Sequence, residues 1–123
     1  MKLPSKELLS EVLGFFIDNC WNDGNLIVWR EDGMSEINIY ELAFKCKEWA
    51  YKVSKFPIKL ETSPTDEYGE EYSIGSWFLC GIEGNHPKTN NTIKRYTLVH
   101  YGQNEPEAIF KACEWIMEQK QND

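Results

Sequence analysis

Apolar residues recur at helical spacing in three stretches of the chain, and at alternating or clustered spacing in the segments between. Leu8, Leu9, Val12, Leu13 and Phe16 share one face, which predicts a first helix over 5–17 with Ser5 as its N-cap. "NLIVWRE" (25–31) is short, β-branched and aromatic, and lies between two Asp-Gly turn signals, so it reads as a strand of a hairpin-like segment. A second helix follows in "INIYELAFKCKEWAYKVSK". Asn38 is its N-cap, Glu41 sits where a capping box needs it, and Ile37 can staple onto Leu42.

Ile39, Leu42, Ala43, Cys46, Trp49, Ala50 and Val53 form the core stripe of this second helix. Glu41, Lys45, Glu48 and Lys52 mark its solvent side, while Tyr40, Phe44 and Tyr51 make a second apolar flank beside the stripe. Pro57 ends the helix. "IKLETS", "YSIGSWFLCGIE" and "IKRYTLVHY" then read as three strands, the last alternating as a half-buried strand does. Asn104, Pro106 and Glu107 open a third helix. On its wheel the apolar residues of 107–119 sweep roughly 220° at about 100° per residue, more than one sheet face covers.

The predicted order is α-β-α-β-β-β-α in one α+β domain. Residues 37–121 form an αβββα core, an antiparallel sheet of three or slightly more strands with two helices on one face. Residues 1–36, a helix and a turn/strand segment, form an additional covering layer. Both later helices have apolar surface to spare. A helix buried on two sides accounts for a wheel that is apolar on two sides.

Composition narrows the functional classes. The 123 residues are 41% hydrophobic and 27% charged, which is globular, and 20 acidic against 13 basic residues give a net charge of −7. That field opposes approach to phosphate backbones and anionic membranes. Lys6, Glu7 and Glu11 interrupt the first apolar stretch, so it reads as an amphipathic helix and not as a signal peptide, and no run reaches the roughly 18 apolar residues of a membrane span. A bacterial cytoplasm is the expected location.

Chemistry-bearing motifs are few. Four cysteines (Cys20, Cys46, Cys80, Cys113) and two histidines (His86, His100) invite zinc, but no CxxC, CxxH or HxxxH spacing occurs. Cys46, Cys80 and Cys113 fall on apolar faces, leaving Cys20 as the exposed thiol. Asp66, Glu67, Glu70 and Glu71 crowd one loop without a metal-ligand pattern. Lys88, Lys94 and Arg95 make the basic patch of the chain. Neither GxGxxG nor GxxxxGK[ST] is present, and the reading includes no cofactor. Five tryptophans are the compositional oddity, with Trp21 and Trp29 flanking an Asp-Gly turn where exposed rings would serve as interface anchors.

Two resemblances bear on function. "IYELAFKCKEWAYK" (39–52) and "EPEAIFKACEWIMEQK" (105–120), the latter opening on an acidic-Pro-Glu-Ala signature, resemble helices of small phage and prophage proteins, including those called phage ABA sandwich proteins. That resemblance implies an accessory protein of viral or mobile-element origin, with no catalytic residue to carry over. The order α-β-β-β-α over 38–121 is similar to that of double-stranded-RNA-binding domains. Glu105 and Glu107, however, stand where that family places lysines, and "GNHP" occupies a different inter-strand loop.

The expected function is therefore non-enzymatic protein–protein binding, with a protein partner or a second copy. The candidate interface is Trp21, Trp29, Tyr40, Phe44, Tyr51, Phe110 and Met117. A nucleic-acid-binding module using the sheet or the Lys88–Arg95 patch is the alternative, and a small enzyme using Cys20 or a carboxylate pair is the second.

Overall fold

The computed structural model describes residues 3–23, 25–30, 33–53, 57–66, 77–94 and 97–121, and at residues 21–23, 25, 29, 30 and 121 the backbone alone. Helix α1 spans Lys6–Leu13, with the Ser5 side chain accepting from the Leu8 N–H. It is shorter than its apolar pattern. Gly14 closes it in the left-handed conformation (φ 80°), its N–H donating to Ser10 O at 2.9 Å. Phe16 consequently lies beyond the helix, off the core stripe, and is exposed.

Strands β1 (Asn19–Asp23), β2 (Asn25–Arg30) and β3 (Gly33–Ile37) form an antiparallel sheet in chain order. One strand was expected here and three are found. The flanking strands are polar and lack the β-branched density of β2, which alone carries Leu26 and Val28 into the main core.

Helix α2 (Ile39–Lys52) starts as its sequence requires, the Asn38 side chain accepting from the N–H groups of Tyr40 and Glu41. Strands β4 (Lys59–Thr65), β5 (Trp77–Asn85), β6 (Thr92–Ile93) and β7 (Val99–Gly102) form a second antiparallel sheet, in which β5 pairs with β4, β6 and β7. The expected continuous strand over 93–101 is interrupted, because the Thr97 N–H donates to Lys94 O at 2.9 Å and closes a turn between β6 and β7.

Helix α3 (Glu105–Gln121) packs on β4, β5 and β7 and against α2. Its N-cap is Asn104, whose side chain accepts from the Glu107 N–H at 2.9 Å, while Glu107 reaches back to the Gln103 N–H at 3.2 Å. Gly102 lets this turn approach the sheet: a Cβ there would lie 2.4 Å from the Ala108 nitrogen.

The core answers the question of α3's broad apolar wheel. Ala108, Ile109, Phe110, Ala112, Cys113, Ile116 and Met117 are all buried, in one cluster with Leu42, Cys46, Ala50, Leu60 and Ile82. Leu8 and Leu9 of α1 belong to the same cluster. Polar contacts tie the amino-terminal layer down. The Ser5 N–H donates to Glu114 Oε1 at 2.7 Å, and Glu11 both accepts from Trp49 Nε1 at 3.3 Å and pairs with Lys120. Lys120 also stands over the Trp49 ring at 5.7 Å, so three helices meet at one carboxylate and one ammonium. No described helix is long and apolar enough to cross a membrane.

Candidate functional site

Among the described residues, one flank of α2 carries three of the exposed large hydrophobic side chains. Tyr40 is 61% exposed, Phe44 63% and Tyr51 50%. At about 100° per residue they fall within roughly 40° of one another, in a single row along the helix. Beside them runs a second row, Glu41, Lys45, Glu48 and Lys52, all exposed. The opposite face carries Leu42, Ala43, Cys46 and Ala50, all buried against the core. Its burial leaves the aromatic row no inward route.

At the carboxyl-terminal end of this row the surface opens into a groove of about 410 Å³ between α2 and β4, with Tyr51, Lys47 and Lys52 on one wall and Ile58, Leu60 and Glu61 on the other. Sequence patterning pointed to the aromatic row and missed the groove. The groove exists because β4 returns alongside α2, a tertiary fact. The only local trace is the apolar pair Ile58 and Leu60 just after Pro57.

The remaining interface candidates fare differently. Phe110 and Met117 are 2% and 3% exposed, so they are core residues and not surface ones. The expectation that they formed a free flank is corrected: α3 packs on α2 and on the β4–β5–β7 sheet, with α1 adding to the cover, and both side chains belong to the core cluster. The backbones of Trp21 and Trp29 lie in β1 and β2, paired with Ile27 and Asn19. Their side chains lie outside the described residues.

A smaller cavity of about 240 Å³ lies between α3, β7 and Leu3, lined by His100, Phe110, Lys111, Glu114, Trp115 and Glu118. His100 Nε2 is buried there and has no hydrogen-bond partner. Burial and the neighbouring Lys111 ammonium push the His100 pKa below its usual value, Glu118 opposing them. The imidazole is therefore neutral at pH 7. Two of the rim groups are already engaged: Lys111 Nζ donates to Tyr101 O at 2.9 Å, and Glu114 takes the Ser5 N–H. The second histidine is structural. His86 Nδ1 accepts from the N–H groups of Lys88 and Thr89, which leaves Nε2 to donate to Gln119 Oε1 at 3.2 Å, and the ring meets Trp115 edge-on at 5.5 Å.

Cys46, Cys80 and Cys113 are buried and Cys20 is half-buried. Burial first, and then side-chain hydrogen bonding with Cys46, hold the Cys113 thiol well above its ordinary range, so it stays protonated and unreactive; its Sγ also donates to Cys46 O at 3.6 Å. Of the acidic loop, Asp66 is half-buried and Glu67, Glu70 and Glu71 lie outside the described residues. Among the described residues no three His, Cys, Asp or Glu gather into a group able to hold a metal ion. Of the basic patch, Lys88 and Lys94 are exposed, and Arg95 lies outside the described residues.

Known proteins offer no further guide. The chain matches no family model, no curated protein and no solved structure.

Proposed function

We propose that the chain is a non-enzymatic accessory protein of the bacterial cytoplasm that acts by protein–protein binding through the outer face of α2. One observation carries this reading: three large aromatic side chains stand half or more exposed in a row on a helix whose opposite side is fully packed. Isolated surface aromatics are ordinary, but a row of them on one helix flank rimmed by charge is the anatomy of an interaction surface. The charged row beside it supplies the polar rim.

A photo-crosslinking amino acid at position 44, compared with one at the exposed position Lys94, tests this. Covalent protein adducts formed in cells at 44 and not at 94 are expected. Equal labelling at both positions, or none at 44, contradicts the reading.

A further inference from the structure

We infer that the outer face of α2 binds a second copy of this chain, the two α2 helices lying antiparallel about a two-fold axis. This rests on the reading of that face as a protein-binding surface and names its occupant. The first argument is charge order. Glu41, Lys45, Glu48 and Lys52 alternate in sign with spacings of four, three and four residues, so the row reversed end to end keeps its spacing and inverts every sign. In an antiparallel two-fold pair the same edge of each helix meets its own copy. Glu41 then faces Lys52 of the second copy, and Lys45 faces its Glu48, giving four opposite-charge contacts per dimer. In a parallel pair that edge meets the other edge of the partner helix, and the charged row finds no copy of itself to pair with.

The second argument is shape. Tyr40 and Tyr51 end the aromatic row, and reversal about nearly the same midpoint brings Tyr40 of one copy to Tyr51 of the other. Tyr51 forms one wall of the α2–β4 groove, whose far side exposes Lys59 and Glu61 over the buried Ile58 and Leu60. The groove thus lies where an antiparallel partner delivers an aromatic ring, and the two-fold axis repeats the insertion at the other end. The third argument is area. Three aromatic side chains of about 200 Å² each, half to two-thirds exposed, offer roughly 350 Å² per chain, against about 800 Å² per partner in a standard interface. The charged row and the exposed groove residues Lys59 and Glu61 must supply the rest. The dimer is therefore of modest affinity and dissociates on dilution.

Sedimentation equilibrium over roughly micromolar to millimolar concentrations tests this on the full chain and on two double variants, K45E/K52E and E41K/E48K. The wild type is expected to approach twice its 14.4 kDa mass as concentration rises. Each variant alone should weaken association at least about tenfold, and their equimolar mixture should recover it as a heterodimer. E41K/E48K brings the net charge from −7 toward neutrality, so its loss of association separates pairing geometry from bulk repulsion. Recovery on mixing shows that both variants are folded. Carbodiimide should also join Glu41 to Lys52, which lie about 16 Å apart within one helix and so link only between copies. A wild type that stays monomeric throughout overturns the inference, as does a dimer indifferent to both reversals and lacking that crosslink. If the wild type is monomeric while position 44 still crosslinks another protein, the dimer falls and the broader reading stands. If position 44 crosslinks nothing, both fall.

Discussion

Helices α2 and α3 have the same surplus in sequence, more apolar surface than one sheet face needs, and the fold treats them oppositely. On α3 the surplus is covered: Phe110 and Met117 are in the core, with Leu8 and Leu9 of α1 in the same cluster. On α2 it is left in the open, with Tyr40, Phe44 and Tyr51 facing solvent. The difference comes from where α1 lands. It packs along α2 and α3 near Trp49, Glu114 and Lys120, on the side away from the aromatic row. A wide apolar arc therefore says that a helix has two partners, without saying whether both belong to the same chain.

Substitutions should separate the two helices sharply. Phe110→Ala removes a buried ring and is expected to cost about 3–5 kcal/mol, enough to unfold much of the population, whereas Phe44→Ala should stay within about 0.5 kcal/mol in denaturant titrations. Leu9→Ala, which opens the cover over α3, should cost about 2–5 kcal/mol, and a small loss would mean that α1 is not a true layer. The caps come next. Asn38→Ala and Asn104→Ala should each cost about 1 kcal/mol. Glu11→Ala, which frees Lys120 and the Trp49 N–H at a partly exposed site, should cost less, at most about 1 kcal/mol.

The smallest effect is a pH dependence. His100 is held below its ordinary pKa of 6.5, so the fold favours its neutral form. Its contribution is complete above that value and is lost as pH falls toward the lower folded-state pKa, where the native state must take up a proton it resists. The Tm of the wild type should decline below pH 6.5, and His100→Gln should flatten that slope. An unchanged slope would place the burden on other groups.

Most of the fold was legible because its signals are local. Ser5, Asn38 and Asn104 announce three helix starts through side chains that accept backbone N–H groups a few residues on. Alternation in "IKLETS" and the apolar run before Gly81 mark β4 and β5. What failed was governed by single turns or by distant packing. Gly14 ends α1 before Phe16 although the apolar spacing continues, and the Lys94–Thr97 turn splits a stretch whose alternation suggests one strand. β1 and β3 pair with β2 and, among the described side chains, each sets only one residue, Cys20 and Ile37, against the core, too few to make a hydrophobic period to read. Of the candidate surface, the aromatic row follows from helical geometry alone. The burial of Phe110 and Met117 depends on how α2, the sheet and α1 close around α3, which is tertiary packing.

Hydroxyl-radical footprinting across a dilution series measures the contrast between the helices directly. Phe110 and Met117 should stay protected at every concentration. Tyr40, Phe44 and Tyr51 should react readily when dilute and become protected as the chain is concentrated. Oxidation of Met117 in the folded protein, or aromatic reactivity on α2 that concentration leaves unchanged, would contradict the account.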